Sequence, residues 1–377
     1  MTTTYEVPFN QPTFDGNELA YIMRAVEKAH TSGMGPFTQQ CEALLEEALG
    51  VPRVLLTPSC THALEMSALL LGLDPGDEVV VPSFTFVSTA TAFAREGARP
   101  VFCDIRPDTF NLDEVALERL ITPNTKAIVP VHYAGVGCEM NRILELANAH
   151  DIAVVEDNAH GLFGRYHGRY LGTIGTFGTQ SFHETKNFSC GEGGALIVND
   201  ERFVDRAEII RDRGTNRSQF LRGDVGKYTW VDTGSSYLLS DILAGVLLAQ
   251  LERRDVIQEH RKRIWQTYHA SLEGWAKSTD VQLPIVPLDH EPSYHNFALL
   301  LPTRERRDAL IEHLKGRGVH AVFHYIPLHL SPAGQSWGGA PGQCPVAEDV
   351  SERLVRLPFF AHLDDRQSTV IDAVLDF

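Results

Sequence analysis

Short apolar runs alternate with amphipathic segments along the first half of the chain, beginning at Arg53. The apolar runs cover residues 54–56, 78–82, 100–103, 127–131 and 152–155, and helical patterns lie between them near 61–72, 86–96, 113–121 and 139–149. Fully apolar strands separated by helices are typical of a parallel sheet that is covered on both faces. The pattern therefore predicts a doubly wound α/β domain, whose ligands bind at the carboxyl ends of the strands.

The flanking segments extend this pattern to two domains. Helices are expected at 19–26 and 37–48 before the first strand, and strands at 176–182 and 195–198 enclose a polar, glycine-rich turn. A long helical pattern from 240 to about 272 is interrupted by the charged residues 252–255, and beyond it a strand, a helix and a strand are predicted at 296–301, 304–315 and 320–325. We therefore predict a large domain with an N-terminal arm over residues 1–253 and a smaller C-terminal α/β domain over residues 254–377.

Polar residues gather where the predicted strands end. They occupy residues 57–61, 82–86, 132–133 and 156–158, with Ser181 at the end of a later strand. Because the carboxyl ends of parallel strands meet at one edge of a sheet, these residues are expected to form the rim of an active site. Polar loops without a function are the alternative, and the repetition at this many strand ends makes that alternative less favourable.

The composition excludes several classes of protein. The 33 Lys and Arg residues stand against 49 Asp and Glu, so the net charge of −16 argues against a general nucleic-acid binder, which needs a basic face. The six cysteines form no CxxC pair and no zinc spacing, and no metal site is predicted. Residues 1–6 lack the apolar region of an export signal, and no apolar run approaches the ~18 residues of a membrane span. We expect a soluble cytoplasmic protein.

One lysine occupies a position suited to covalent chemistry. Lys186 lies in the polar turn between the strands at 176–182 and 195–198, ahead of the glycine-rich residues 191–194. If the turn faces a cleft, burial lowers the pKa of the amine, which can then attack a carbonyl to form a Schiff base. We interpret Lys186 as this nucleophile and pyridoxal phosphate (PLP) as the carbonyl compound. On position alone, a solvated loop lysine is the alternative.

Three further patterns would complete a PLP site. Residues 59–62 precede a helix whose N-terminal N–H groups and Thr61 suit a phosphate, although Ser or Thr there is also an ordinary helix cap. A buried strand ends in Glu156 and Asp157, either of which could hold a pyridine nitrogen protonated. Phe86, or else Phe84, could stack on the ring, and either could equally belong to the core.

Competing motifs fail. Residues 135–140 begin like a dinucleotide-binding fingerprint but lack its last glycine and follow no first strand, and the chain has neither a P-loop nor a GxSxG motif. His324 and His329 are five residues apart around Pro327, so they cannot bind zinc from one helix.

Taken together, these residues resemble a known family. The stretch SFHETKN at 181–187, GEGG at 191–194, VED at 155–157 and PSFTF at 82–86 are similar to the sugar aminotransferases of the DegT/DnrJ/StrS family. The resemblance covers residues 8 to about 331, and it implies the fold of the fold type I PLP enzymes. The residues at 182–187, 213–220 and 230–237 are similar to a branch that aminates C4 of a dTDP-4-keto-6-deoxyhexose with glutamate as donor.

The resemblance implies specific roles around the cofactor. Lys186 would form the Schiff base and move a proton between the substrate carbon and the cofactor, Asp157 would pair with the pyridine nitrogen, and Phe86 would stack on the ring. The phosphate would be held by Cys60 through its backbone, by Thr61 and by Ser181. His160 stands where many relatives have Gln beside the ring hydroxyl, and it would add a titration near neutral pH.

The resemblance also implies contacts with a second subunit and with the substrate. Relatives in other branches place an Asn of the neighbouring subunit on the phosphate; this chain has Leu238 there, and Ser235 or Ser236 could substitute. His329 and Tyr325 match residues of the sugar-nucleotide pocket, and four basic residues could neutralise the diphosphate: Arg213, Arg217, Arg222 and Lys227. A homodimer with active sites at the subunit interface is expected.

The resulting functional prediction is transamination at C4 of dTDP-4-keto-6-deoxy-D-glucose with L-glutamate, which yields a dTDP-4-amino-4,6-dideoxyhexose and 2-oxoglutarate. The residues do not decide the configuration at C4, and the gluco epimer is favoured over the galacto epimer. The related sugar dehydratases carry His in place of the lysine, so Lys186 indicates transamination. The alternatives are a non-enzymatic regulator that binds PLP or a sugar nucleotide, and an aminotransferase for a 3-keto or UDP-linked sugar.

Overall fold

The computed structural model of the protein describes residues 5–377. These residues contain twelve β-strands, which in chain order are β1 (Arg53–Thr57), β2 (Glu78–Pro82), β3 (Arg99–Cys103), β4 (Thr125–Ile128), β5 (Ala153–Asp157), β6 (Arg165–Tyr166), β7 (Arg169–Tyr170), β8 (Phe177–Ser181), β9 (Gly194–Val198), β10 (His290–Glu291), β11 (Ala298–Leu300) and β12 (Leu354–Arg356).

The same residues contain fourteen α-helices: α1 (Glu18–Glu27), α2 (Pro36–Leu49), α3 (Cys60–Leu71), α4 (Ser88–Ala94), α5 (Glu114–Glu118), α6 (Met140–Ala149), α7 (Val204–Arg211), α8 (Arg217–Arg222), α9 (Asp241–Glu252), α10 (Arg254–Thr279), α11 (Arg304–Gly316), α12 (Pro332–Ser336), α13 (Pro345–Arg353) and α14 (Asp364–Leu375). Short 3-10 turns lie at Tyr133–Gly135, Glu201–Phe203 and Leu328–Leu330. No helix within 5–377 is both long and apolar enough to cross a membrane.

The largest sheet has seven strands in the order β1-β9-β8-β5-β4-β2-β3. Strand β9 runs antiparallel to both of its neighbours, β1 and β8, whereas the remaining pairs are parallel. The carboxyl ends of the other six strands therefore meet at one edge of the sheet. The predicted mostly parallel, doubly wound α/β architecture is confirmed.

Both faces of this sheet are covered because alternate side chains of a strand point to opposite sides. In β5, Val155 packs into a core with Leu64 of α3, whereas the adjacent Val154 packs into a separate core with Ile143 of α6. All five apolar runs that precede residue 156 form strands, within a few residues of the predicted limits. Helices on the two faces leave the strand ends as the accessible edge.

The C-terminal part has its own core. Tyr268 of α10, Leu310 of α11 and Val370 of α14 are fully buried together and pack against β11 and β12, which pair antiparallel. The break between α9 and α10 falls at Arg253, within the predicted interruption at 252–255. The division of the chain into domains after residue 253 stays a prediction.

The predicted strand at 320–325 is wrong. Only Val322 forms a bridge to the sheet, with Arg356, and β12 takes the position beside β11. The following residues leave the sheet: Phe323 is exposed and Tyr325 lines a cavity. Pro327 comes two residues later and could not have donated a ladder hydrogen bond.

The N-terminal arm packs on this C-terminal part. Val7 is fully buried in its core, and the Val7 N–H donates to the Gly318 carbonyl at 3.1 Å. Three residues later, Asn10 Nδ2 donates to the carbonyl of Glu184 at 3.1 Å. The arm therefore connects the C-terminal core with the turn that carries Lys186.

Candidate active site

A cavity of about 810 Å³ opens at the carboxyl edge of the seven-stranded sheet and is closed on its other side by the C-terminal part. Eight of the predicted site residues line it: Phe86, Cys60, Thr61, Asp157, His160, Ser181, Lys186 and Tyr325. A volume of this size suits a cofactor together with a substrate. The polar strand ends thus meet as the sequence pattern predicts.

Lys186 is held by a tight turn between β8 and β9. Phe182 and Phe188 are buried on either side of it, and the Phe182 N–H donates to the Gly193 carbonyl at 2.7 Å. The Lys186 N–H donates to the His183 carbonyl at 2.9 Å. Burial lowers the pKa of Lys186 to about 8, and the neighbouring Cys60 and Asp157 oppose this shift only in part. A substantial fraction of the amine is therefore neutral near pH 8 and able to act as a nucleophile.

The lowered pKa has a consequence for stability that can be measured on the cofactor-free protein. Between pH 8 and 10.5 the unfolded state binds more protons at Lys186 than the folded state, so stability rises with pH over this window. At pH 7, where the folded protein carries a desolvated cation, we expect Lys186→Met to be more stable than the wild type by up to about 3 kcal/mol. The difference should shrink as the pH approaches 10.5, as measured by urea unfolding.

The exposed Lys277 provides the control, because it lies on the surface and pairs with Glu273 of the same helix. Lys277→Met should have nearly the same free energy of unfolding as the wild type at pH 7. A Lys186→Met protein that is less stable than the wild type at pH 7 would contradict a desolvated amine.

The two adjacent carboxylates at the end of β5 point in opposite directions, as expected in a strand. Asp157 faces the cavity, accepts a hydrogen bond from Thr89 Oγ1 at 2.7 Å and another from the Ala159 N–H at 3.2 Å. Burial raises the pKa of Asp157, and the hydrogen bond from Thr89 is the largest opposing influence. Asp157 is therefore the carboxylate that can act on a ligand in the cavity.

Glu156 belongs to the structure behind the cavity. It is completely buried and accepts backbone hydrogen bonds from Gly172, Ile174 and Gly175 at 2.6–2.8 Å. His132 Nε2 lies 2.8 Å from Glu156 Oε2, while His132 Nδ1 accepts from a backbone N–H, so Nε2 carries the proton. Four donors satisfy this carboxylate and hold the end of β5 in place.

The N-terminus of α3 faces the cavity. Ser59 caps the helix by accepting a hydrogen bond from the His62 N–H at 3.2 Å, which leaves Cys60 and Thr61 as the first helical residues. The first N–H groups of a helix have no partner within it, and the helix dipole favours an anion there. Gly194 permits this arrangement, because a Cβ at that position would overlap the backbone between Ser59 and Cys60. The cap and the anion site predicted at 59–62 are therefore compatible.

The two phenylalanines have different environments. Phe86 lines the cavity with 56% of its surface exposed, whereas Phe84 is 1% exposed and packs against Tyr133 and Tyr325. Phe86 is thus available to a planar ligand, and Phe84 is part of the core.

Three histidines form a stack along one wall. The His160 ring lies 4.1 Å from the His295 ring, nearly parallel to it, and 6.3 Å from the His324 ring. Burial lowers the pKa of His160 well below its ordinary value, and the positive charges of Lys186 and Arg356 lower it further. The expected titration of His160 near neutral pH is therefore wrong, because the buried ring stays neutral there. Within 5–377, no three His, Cys, Asp or Glu side chains are grouped so as to hold a metal ion.

The structure does not bring His329 to the cavity wall. The side chain is fully buried, with Nδ1 2.5 Å from Ser83 Oγ and Nε2 2.8 Å from Glu348 Oε1. The 3-10 turn at Leu328–Leu330 directs the ring into the protein, and Leu328 contributes to the lining instead.

The predicted contacts at 213–236 also lie outside the cavity of the same chain. Arg213 and Arg217 pair with Asp212 at 2.5 and 3.7 Å, and Lys227 is exposed. Ser235 and Ser236 are exposed as well, and Ser236 Oγ accepts a hydrogen bond from Arg213 at 3.1 Å. Arg222 forms ion pairs with Asp205, Glu208 and Asp224. Their roles toward a cofactor or diphosphate stay predictions that require a second subunit.

Four residues of the cavity wall were missed by the sequence patterns: His295, Asn296, His324 and Arg356. They come from segments that flank β11 and β12, far along the chain from the strand ends. No local motif marks them. Arg356 is the last residue of β12, so its position at a strand end is a signal that could have found it. His295 and Asn296 precede β11 and His324 lies in no strand, so the sequence offers no such signal for them.

Known proteins similar to this chain over most of its length include aminotransferases and a sugar-nucleotide synthase. The model of the DegT/DnrJ/EryC1/StrS aminotransferase family matches residues 13–375. The chain is 32% identical to the GDP-perosamine synthase of Caulobacter vibrioides over 369 residues, which cover 97% of this chain and 96% of that protein.

Solved structures agree over almost the whole chain. The aminotransferase TlmJ from Streptoalloteichus hindustanus matches with a TM-score of 0.89 at 33% identity, covering 98% of both chains. Spr1654 from Streptococcus pneumoniae, solved in its PMP form, matches with a TM-score of 0.91 at 28% identity, again covering 98% of both chains.

Proposed function

The chain belongs to the DegT/DnrJ/EryC1/StrS aminotransferase family, and on that premise we propose that it aminates C4 of a nucleotide-linked 4-keto-6-deoxyhexose. The family match and the structural neighbours identify the protein as an enzyme. It is a sugar aminotransferase of fold type I, with PLP as its cofactor. The proposal adds the substrate dTDP-4-keto-6-deoxy-D-glucose, the donor L-glutamate, the gluco epimer of the product and the roles of individual residues.

The cavity residues fit PLP. The N-terminus of α3 with Thr61 and Ser181 suits the phosphate, Asp157 suits the ring nitrogen, and Lys186 supplies the amine. His160 Nδ1 is buried and has no hydrogen-bond partner within residues 5–377, so it can bond to the ring hydroxyl. These groups surround one continuous space, which supports the assignment of each role.

When bound, PLP supplies an aldehyde carbon that accepts the amino group from the donor and passes it to the keto sugar. Its pyridine ring withdraws electrons from the substrate carbon. The residues of this chain govern the protons. Asp157 holds a proton on the ring nitrogen, and Thr89 keeps the carboxylate turned toward the cavity. Lys186 Nζ would accept the proton that leaves the amino-donor carbon and deliver it to the carbon on the cofactor side of the reacting nitrogen, with the reverse transfer for the keto sugar, and its lowered pKa permits this near pH 8.

The predicted roles of Phe86 and Phe84 can be separated by paired substitutions. Phe86→Ala should weaken PLP binding roughly 2- to 10-fold through the loss of one stacking face, with little change in folding. Phe84→Ala should instead destabilise the protein by about 3–5 kcal/mol, because it opens a cavity in the core. Equilibrium dialysis with PLP and urea unfolding of the cofactor-free proteins measure the two effects. The reverse pattern would assign the ring wall to Phe84.

The observation that carries the proposal is that Lys186 and Asp157 face one cavity beside the N-terminus of α3. The similarity of residues 182–187, 213–220 and 230–237 to the C4 branch supports the substrate. A relative named for GDP-perosamine shows that the carrier nucleotide has to be tested directly.

The test is to incubate the PLP-loaded enzyme with L-glutamate and dTDP-4-keto-6-deoxy-D-glucose and to identify the product by NMR. We expect a dTDP-4-amino-4,6-dideoxyhexose in the gluco configuration, together with 2-oxoglutarate. UDP- and GDP-linked 4-keto sugars and a dTDP-3-keto sugar are run in parallel. Amination of a 3-keto sugar in preference to the 4-keto sugar would overturn the proposed substrate, and a galacto product would overturn the epimer.

We also propose a homodimer in which residues 213–236 of one copy approach the cavity of the other. Large apolar side chains are exposed in that segment and in α1, including Trp230 (77%), Leu221 (62%), Leu19 (77%) and Met23 (61%). Such exposure on a globular protein marks an interaction surface. Light scattering should give twice the chain mass of 41.9 kDa. The mass of a single chain at micromolar concentration would contradict the proposal.

A further inference from the structure

Two side chains in the cavity wall, Asn296 and Arg356, carry buried polar atoms that have no hydrogen-bond partner within residues 5–377. Neither Nδ2 nor Oδ1 of Asn296 makes a hydrogen bond within residues 5–377, although Asn296 is only 3% exposed. The buried Nε of Arg356 is also without one. Buried polar groups are normally satisfied, so both side chains are suited to a ligand that supplies the missing atoms.

The two residues belong to one small structural unit. Asn296 lies two positions before Ala298 of β11, and Ala298 pairs with Arg356 of β12. Because side chains two apart in an extended chain lie on the same side, Asn296 and Arg356 are both presented to the cavity, which both of them line. A ligand can therefore contact them together.

Arg356 is a cation without a counterion. Within the described part of the chain no carboxylate pairs with its guanidinium, whose titratable neighbours include Tyr133 and Tyr325. The guanidinium stacks over the Phe9 ring at 4.7 Å and donates from Nη2 to the Phe323 carbonyl at 3.3 Å. Burial lowers the pKa of Arg356. Arg356 is only partly exposed, so water hydrates its charge incompletely, and an anion that enters the cavity would be attracted to it.

The chemistry of the pair indicates a carboxylate. A guanidinium presents a planar fork of donors that matches a carboxylate, and an amide N–H can add a third hydrogen bond. The positive charge of Arg356 contributes to lowering the pKa of Lys186, and both residues line the same cavity. In an amino acid a carboxylate is attached to the carbon that bears the reacting amine, whereas a keto sugar has none.

We propose that Arg356 and Asn296 form the subsite that binds a carboxylate of the amino donor. This inference rests on the proposed function, because it assigns a residue pair to the donor of that reaction. The diphosphate of the sugar nucleotide is the other anion that enters the cavity, and the experiment distinguishes the two.

The test measures binding as well as turnover in the PLP-loaded enzyme. Glutarate, which has two carboxylates and no amine, is titrated by calorimetry into the wild type and Arg356→Gln. We expect the substitution to weaken glutarate binding about 10- to 100-fold, the effect of losing a charge-assisted hydrogen-bonded contact. The half-saturating concentration of L-glutamate in the first half-reaction should rise by a similar factor, while that of the nucleotide-linked keto sugar in the second should not change.

Two further variants and one control complete the test. Arg356→Lys keeps the positive charge but loses the planar pair of donors, so it should weaken glutarate binding less than Arg356→Gln does. If Arg356→Gln does not fold, Arg356→Lys replaces it in the test. Asn296→Asp should weaken glutarate binding, because it places a negative charge beside the bound carboxylate. Arg304→Gln removes an exposed arginine of α11 and should leave glutarate binding as in the wild type.

Unchanged glutarate binding in Arg356→Gln would overturn the subsite. If Arg356→Gln weakens binding of the nucleotide-linked keto sugar but leaves glutarate binding unchanged, Arg356 contacts the diphosphate and the carboxylate subsite is overturned. If the wild-type enzyme binds glutarate but does not transfer an amino group from glutamate, the proposed donor fails while the carboxylate subsite stands.

Discussion

Lys186→Ala should abolish amino transfer in both half-reactions. Proton transfer by a positioned side chain contributes about 10²–10⁴-fold to a rate, and this substitution also removes the nucleophile that attaches the cofactor. The loss of turnover should therefore be at least about 10⁴-fold. Reduction with borohydride, followed by mass spectrometry of the peptide that contains residue 186, should find covalently attached PLP in the wild type and none in the variant.

The exposed Lys277 again supplies the matched control, since Lys277→Ala removes an amine from the surface of α10. This variant should keep wild-type turnover and covalent PLP at position 186. Turnover within tenfold of the wild type in Lys186→Ala, or covalent PLP on a different lysine, would remove Lys186 from its proposed role.

Asp157→Asn should lower turnover by about 10²–10³-fold while the protein still folds and binds PLP. The amide has nearly the same shape, and its oxygen can still accept the hydrogen bond from Thr89. It cannot, however, hold a proton on the pyridine nitrogen, so the ring loses its power to withdraw electrons. Single-turnover kinetics with L-glutamate measure the loss, and dialysis measures PLP retention.

Thr89→Val provides a graded comparison, because it keeps the Asp157 carboxylate but removes the 2.7 Å hydrogen bond that orients it. Its turnover should fall between those of the wild type and Asp157→Asn. Equal turnover in Asp157→Asn and the wild type would mean that Asp157 does not act on the ring nitrogen.

Features that depend on neighbouring residues in the chain were predictable from the sequence. Asp157 and Ser181 are the last residues of β5 and β8, and Cys60 follows the end of β1 by three residues. The topology of a parallel sheet brings such strand ends together. The strand pattern alone did not decide between Glu156 and Asp157, because the choice depends on which face of β5 meets the cavity; the family resemblance implied Asp157, which does face the cavity. Helix α3 could be anticipated from its cap and its apolar pattern.

Features set by the packing of distant segments were not predictable in the same way. Arg356 reaches the cavity wall because β12 pairs with β11. The apolar pattern at 320–325 instead predicted a strand at those residues. His329 lies close in the chain to residues that line the cavity, yet the turn at Leu328–Leu330 directs its ring toward Glu348. The neutrality of the His160 ring follows from its burial in a stack whose other members come from beyond residue 290.

The N-terminal arm ties together two regions that are far apart in the chain. Val7 is anchored beside Gly318, Phe9 lies under the Arg356 guanidinium, and Asn10 holds the carbonyl of Glu184. Anyone who engineers this enzyme by fusion, immobilisation or trimming at that end has to preserve residues 7–10. These residues hold the turn that carries Lys186 against the C-terminal core.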